Sequence, residues 1–193
     1  MDWKALVKEY KNKVITGKCI DLVPLKPEHF ADVVRIRNQE RSKYFLNQNI
    51  DLTVDMQAKW YEDYLKRDDD IYWALIGKNG VHVGMNRLYD IDGNLGNQGS
   101  FIVDENYSLG LPFALEAVVL TLDFAFNTLG LNQIINEDKC DNKMMNSMSK
   151  KIGFKFQKET EIRGQKYNYY LLNKDESKLE KYRYILDEFM VNR

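Results

Sequence analysis

The 193-residue chain predicts one mixed α+β domain built on a largely antiparallel sheet. Three observations point there. Turn signals at Asn79-Gly80 and Arg163-Gly164 each separate runs with strand character, and such turns close antiparallel hairpins. A strand, an apolar helix and a second strand follow one another between residues 100 and 139, which is the pattern of a single crossover. Amphipathic helical stretches occupy both ends of the chain.

Taken in order, Trp3, Leu6, Val7 and Tyr10 recur at helical spacing, so residues 2 to 12 predict a short amphipathic helix. "KCIDLVPL" (18–25) alternates like a strand and is closed by Pro24. Pro27 opens a helix running to about Asn38, and a loop carrying "KYFLNQN" follows. Thr53 is the expected N-cap of a helix to about Arg67, with Trp60, Tyr61, Tyr64 and Leu65 on its buried side. "IYWALIG" and "VHVGMNRLYDI" are the first hairpin, "DGNLGNQG" is a turn, and "SFIVD" is a strand. The helix after Pro112 reaches about Asn127, where Gly130 suits a left-handed C-cap. A strand "QIINEDK", a helix over 142–151 and the hairpin "FKFQKETEI"/"KYNYYLLN" come next. A final helix over about 175–190 carries Leu179, Tyr182, Leu186 and Phe189 on one face. There is no repeat, low-complexity tract or linker, so 1–193 is expected to be one domain with its core at about 18–172.

Composition narrows the function classes. Hydrophobic residues make up 44% and charged residues 30%, which is ordinary globular composition. A net charge of −1 argues against a general nucleic-acid partner, which normally shows a basic excess. Cys19 and Cys140 are too few and too far apart for a disulfide scaffold, and no signal segment is evident, so a reduced cytoplasmic protein is expected. The most apolar stretch, 111–126, contains Glu116 and Asp123 and is too short to span a bilayer, so no membrane partner is expected. Two histidines and two cysteines at scattered positions give no metal-ligand spacing.

The stretch "NYSLGLPFALEA" (106–117) carries the first functional signal. A helix start presents unpaired N–H groups and the positive end of the helix dipole, and Gly110 lets backbone approach a ligand. Pro112 suits the first helical turn but removes one donor. On these residues alone, a plain strand-to-helix connection with Gly and Pro as punctuation is the favoured reading.

The second half read as a unit resembles the GCN5-related N-acetyltransferases (GNAT). It is most similar to the branch with ribosomal-protein N-terminal and amino-sugar acetyltransferases. The family's Gln/Arg-x-x-Gly-x-Gly/Ala loop falls on Tyr107, Gly110 and Pro112, of which only the glycine is kept. "LGLNQI", Asn142 and "KKIGF" keep the downstream spacing, and "IRNQE", a helix with Trp60 and "VHVGMNRLYDID" resemble the first half. The resemblance implies a splayed central sheet with acetyl-CoA, and no metal, between "SFIVD" and "QIINEDK". Tyr107, Ser108, Leu109, Gly110, Leu111, Pro112 and Phe113 are then the pyrophosphate loop, with Asn142 and Met145 also on the cofactor.

The implied reaction is direct acetyl transfer to a primary amine in a ternary complex. The acceptor is either a small molecule such as a nucleotide-linked amino sugar or a protein N-terminus. A backbone N–H of Ile102 or Val103 is the expected oxyanion donor. The family's acidic tyrosine falls on Ser149, which either hydrogen-bonds the leaving sulfur or makes room for it. No clear base is present. His82, set apart from Val81, Val83 and Met85 by alternation, is the candidate, while Asp104, Glu105 and the run "KRDDD" read as solvated. The missing acidic base keeps a non-catalytic acyl-CoA-binding or partner-binding module as the alternative. Apolar faces on the terminal helices allow a homodimer, although packing back on the domain is their simpler use.

Overall fold

The computed structural model describes residues 2–107 and 112–191. Helix α1 (Trp3–Tyr10) opens on Asp2, whose carboxylate accepts the N–H groups of Lys4 and Ala5. Strands β1 (Ile15–Thr16) and β2 (Ile20–Pro24) precede a short 3-10 turn (Pro27–His29) and helix α2 (Phe30–Arg37). The segment expected as a loop instead contains α3 (Glu40–Phe45), a helix too short for periodicity to reveal. Helix α4 (Val54–Lys66) is capped by Thr53, whose hydroxyl accepts from Met56 N at 3.2 Å. Its inner side differs from expectation. Tyr64 is buried, but Gln57 takes an inner position and Leu65 is 55% exposed.

Strands β3 (Ile71–Gly77) and β4 (His82–Tyr89) form the Asn79-Gly80 hairpin. Strand β5 (Leu95–Val103) begins at Leu95 rather than Ser100, so most of the expected "DGNLGNQG" turn is strand. Helix α5 (Phe113–Asp123) leads through a π turn (Phe124–Thr128) to Gly130, at φ 76°. Strand β6 (Gln133–Lys139), helix α6 (Lys143–Ile152), strands β7 (Lys155–Ile162) and β8 (Gln165–Asn173) and helix α7 (Leu179–Val191) complete the order.

The strands form one eight-stranded sheet in the order β1-β2-β3-β4-β5-β6-β8-β7. Every neighbouring pair is antiparallel except β5 and β6, which are joined by the α5 crossover and run parallel. Helices α1, α5 and α7 bury one face with Leu22, Trp73, Leu75, Ile134 and Leu172. Helices α2 and α4 cover the other, packing Phe30, Val33, Ile36 and Tyr64 on Tyr72, Met85 and Ile102. Helix α7 returns to the domain through buried Leu179 and Leu186 and an Arg183–Asp123 ion pair. Among the described residues, no helix is long and apolar enough to cross a membrane.

Helix α5 is buried nearly all round, and its one inward charge has a defined task. The Glu116 carboxylate accepts the backbone N–H groups of Lys18 (2.5 Å), Cys19 (2.7 Å) and Ile20 (3.0 Å). It thereby satisfies the turn between β1 and β2 and fixes that turn to the central helix. Gly17 is required there because a Cβ would stand 2.9 Å from Glu116 Oε1 and 2.5 Å from Ile20 O. Glu116→Ala strands these N–H groups in the core and should cost about 2–3 kcal/mol in denaturant unfolding. A variant within about 0.5 kcal/mol of wild type would contradict this role.

Candidate active site

The site originates where β5 and β6 stop pairing. Their parallel register runs from Leu95–Gln133 to Gln98–Asn136 and goes no further. Immediately beyond, β5 carries a bulge. Arg87 faces Gly99 and Met85 faces Ile102, so Ser100 and Phe101 together oppose Asn86. Ser100 takes φ 49°, the left-handed conformation found at one class of such bulges and usually filled by glycine. Asn86 is fully buried and fills the gap in the ladder. Its carbonyl accepts Arg87 N at 2.9 Å and its amide donates to Thr121 on α5 at 2.7 Å. The bulge bends β5 toward β4, while β6 continues along β8 to Lys139.

The strands open into a cleft of about 650 Å³, its open mouth included. Ile102, Val103, Tyr107, Phe113, Asn142 and Met145 line it, all expected from sequence, together with Phe45, Phe101 and Arg41, which were not. Asp104 N–H donates to Val83 O at 2.8 Å. By the alternation of an antiparallel ladder, the Val103 N–H therefore points away from β4, into the cleft, and that of Ile102 does not. Asn142 caps α6, its side chain accepting Met145 N at 3.2 Å. Pro112 caps α5 and its carbonyl accepts Glu116 N at 2.8 Å. Ser108, Leu109, Gly110 and Leu111 lie outside the described residues. Asp104, expected to be solvated, is fully buried and anchors the start of that loop. It accepts Arg35 (2.5 Å), Gln39 (2.8 Å) and Asn106 N (3.0 Å). Burial pushes its carboxyl up, but the bonds from Gln39 and Arg35 outweigh burial and hold it below the usual range.

At the apex, a deeper cavity of about 260 Å³ shares Phe101 and Met145 with the cleft and is lined by Gln98, Asn136 and Ser149. Ser149 is buried on α6 and donates to Asp138 Oδ2 on β6 at 2.7 Å. Asn136 donates to Ser149 Oγ at 2.9 Å and to both Asp138 oxygens at 3.2 Å. Burial pushes the Asp138 carboxyl up to about 6, against the opposing pull of Ser149 and Asn136. The Gln98 amide is 5% exposed, and its Nε2 has no hydrogen-bond partner. Sequence reasoning missed Asn136 and Asp138, although a signal existed. They share a strand face with core residue Ile134, and polar residues on a buried face demand partners.

The opposite face of the apex is different in chemistry. Gly99 lies against the Tyr89 ring, which a Cβ would meet at 2.9 Å. Glu137 is exposed and points to this side by alternation from Asn136 and Asp138. Burial first, then the Glu137 carboxylate, push the hydroxyls of Tyr89, Tyr167 and Tyr169 up. Arg87 lies over the Trp60 and Tyr89 rings at 5.3 and 4.8 Å. It is held by Asp70, the buried end of the "KRDDD" run that had read as solvated. Lys139 donates to Tyr44 O at 3.0 Å, and Lys158 stands 5.4 Å over the Tyr169 ring.

His82 sits apart from all of this, lining neither cavity. Its Nε2 meets Gly84 O at 2.8 Å, its Nδ1 is buried without a hydrogen-bond partner, and its ring packs edge-on to His29 at 5.7 Å. Burial pushes it down to about 4. Alternation did turn it away from Val81 and Val83, but toward α2 rather than the cleft. Among the described residues, no group of three or more His, Cys, Asp or Glu side chains is placed to hold a metal ion.

Residues 20–155 match the acetyltransferase (GNAT) domain family. No curated protein matches the chain. Solved structures with the same fold include a GCN5-related N-acetyltransferase from Brucella melitensis (22% identity, TM-score 0.77, 91% of this chain and 86% of that one). Another is apo FdhC, a nucleotide-linked sugar GNAT (23%, TM-score 0.76, 91% and 98%). A third is spermidine N-acetyltransferase from Vibrio cholerae with CoA and spermine (14%, TM-score 0.71, 79% and 94%). At these identities the likeness concerns the fold.

The burial of His82 has a measurable consequence. Between its ordinary 6.5 and about 4, the unfolded chain takes up a proton that the folded chain refuses, so His82 withdraws stability as pH falls through that window. Asp138 acts oppositely, since its raised value makes the folded chain hold a proton first as pH falls below about 6. His82→Gln should therefore lose less stability on acidification than wild type, by up to about 3 kcal/mol. Parallel acid profiles would contradict the burial.

Proposed function

The chain belongs to the GNAT family of N-acetyltransferases, and we propose that it transfers an acetyl group directly to one primary amine of a small molecule, an amino sugar carried on a nucleotide. The observation that carries the proposal is the chemistry at the apex, where Ser149 lies on one face and Glu137 on the other.

The residues present fit acetyl-CoA. An apolar cleft within the usual ligand range leads inward past Val103 to a cavity holding the orphan Gln98 amide. Bound there, acetyl-CoA supplies an acyl group activated as a thioester. Val103 N–H is aimed where a carbonyl oxygen gaining charge is stabilised. Ser149 faces the sulfur, and its hydroxyl donates to it on turning away from Asp138. Glu137 holds the acceptor nitrogen and receives the proton that it gives up, which replaces His82 in the role of base.

The acceptor class follows from the outer face. Tyr89 and Tyr169, both half-buried, offer ring surfaces with polar edges, suited to a sugar or a base, and Tyr167 is buried beside them. A single carboxylate suits one amine, whereas a polyamine calls for several. Lys158 over Tyr169 and Arg163 acting on Tyr167 supply positive charge for a diphosphate. The similarity of fold to a nucleotide-linked sugar GNAT agrees with this choice. A cytoplasmic location, where acetyl-CoA and nucleotide sugars both occur, is part of the proposal.

Acetyl-CoA at millimolar concentration should raise the unfolding temperature by several degrees. Thiol release should be fastest with nucleotide-linked amino sugars when these are compared with spermidine and peptide amines. Glu137→Gln should lower kcat/KM for that acceptor about 100-fold with acetyl-CoA affinity unchanged. Binding without turnover on any amine would favour the non-catalytic module, and no thermal shift would overturn the cofactor assignment.

A further inference from the structure

We infer that Asp138 is a positioning residue that supplies, through Ser149, the proton taken up by the departing thiol; this rests on the acetyl-CoA reading of the cleft. Ser149 and Asn136 line the inner cavity and Asp138 stands behind them, so the carboxyl reaches a ligand only through the serine hydroxyl. Asn136 clamps both members, at 2.9 Å to Ser149 and 3.2 Å to each Asp138 oxygen. The unpartnered Gln98 amide in the same cavity is an independent sign that a polar ligand atom belongs there.

The two protonation states of Asp138 give the serine two orientations. Ionised Asp138 accepts the Ser149 hydroxyl, and the one proton of that hydroxyl is then committed. Protonated Asp138 becomes the donor to Ser149 Oγ, and the serine O–H turns to the cavity. As the C–S bond breaks, its electron pair stays on sulfur. Ser149 then passes its proton to that sulfur and takes the Asp138 proton in exchange. A free thiol and an ionised Asp138 remain, and solvent reprotonates the carboxyl. A thiol ordinarily titrates near 8.5 and Asp138 near 6, so the transfer runs downhill.

The surroundings keep this pair isolated from other charges. Burial, Ser149 and Asn136 account for the state of Asp138, with no cation contributing. Tyr170 on β8 feels its charge, but the Tyr170 hydroxyl donates to Asn146 at 2.8 Å. Lys139 points to the other face and is held by Tyr44. Gln98 on β5 is neutral.

The test compares wild type, Asp138→Asn and Ser149→Ala in three measurements: acetyl-CoA affinity by calorimetry, kcat against pH with one amine, and denaturant stability against pH. Affinity should stay within about twofold in both variants. At pH 6 each should lose about 100-fold in kcat, and the deficit should shrink at higher pH as wild type loses its protonated Asp138. Without any turnover, wild type should gain stability over Asp138→Asn as pH falls from about 6 toward 4. A deficit equal at every pH, or an unchanged kcat, would overturn the relay. If Asp138→Asn fails to fold, Ser149→Ala alone must show the pH-dependent deficit, and a flat one is equally fatal. Failure of wild type itself to bind acetyl-CoA would instead remove the cofactor reading on which the inference rests.

Discussion

Strands β5 and β6 share parallel pairing from Leu95–Gln133 to Gln98–Asn136 and then part. On one side of the parting, the extra residue at Ser100 swings β5 toward β4, with Asn86 and Thr121 taking up the polar groups that the bulge leaves over. On the other side, β6 stays straight because β8 pairs with it all the way to Lys139. Neither strand can close the gap without breaking hydrogen bonds already made elsewhere. The cleft is thus a built-in consequence of sheet geometry.

The polar residues of the site gather at that vertex because strand alternation distributes them to its two sides. Consecutive residues of β6 point to opposite faces, so Glu137 meets the tyrosines while Asn136 and Asp138 meet Ser149. Helix α6 brings the serine, and Asn146 ties that helix to the strands by donating to Lys139 O and accepting from Tyr170 and Asn168. Asp104, held by Arg35 on α2 and by Gln39 at the start of α3, fixes the outer end of β5, where the loop to α5 begins. On the inner side of the vertex, Asn136, Asp138, Ser149 and Asn146 are all held in hydrogen bonds, while Gln98 Nε2 has no partner.

Much of this was legible from residue order. Turn residues placed the hairpins, and the apolar run after Pro112 announced a buried helix between parallel strands. The cleft residues Val103 and Asn142 and the inner-cavity residue Ser149 were named by the resemblance to the family. Other features were hidden for physical reasons. The six residues of α3 carry too little periodicity, and the early start of β5 was masked by Gly96 and Asn97. Asp70 and Asp104 look solvated in any local window because Arg87 and Arg35, their partners, are distant in sequence. Histidine 82 shows the limit of alternation, which says that a side chain turns away from its neighbours but not what it turns toward.

The central claim is that the gap between β5 and β6 seats the thioester with its sulfur beside Ser149. A crystal structure of the complex with CoA tests it most directly. The account predicts the pantetheine arm along Val103, its sulfur within hydrogen-bonding reach of Ser149 Oγ and Glu137 open on the far side of the apex. CoA bound outside the splay, or a sulfur remote from Ser149 with the inner cavity unchanged, would contradict it.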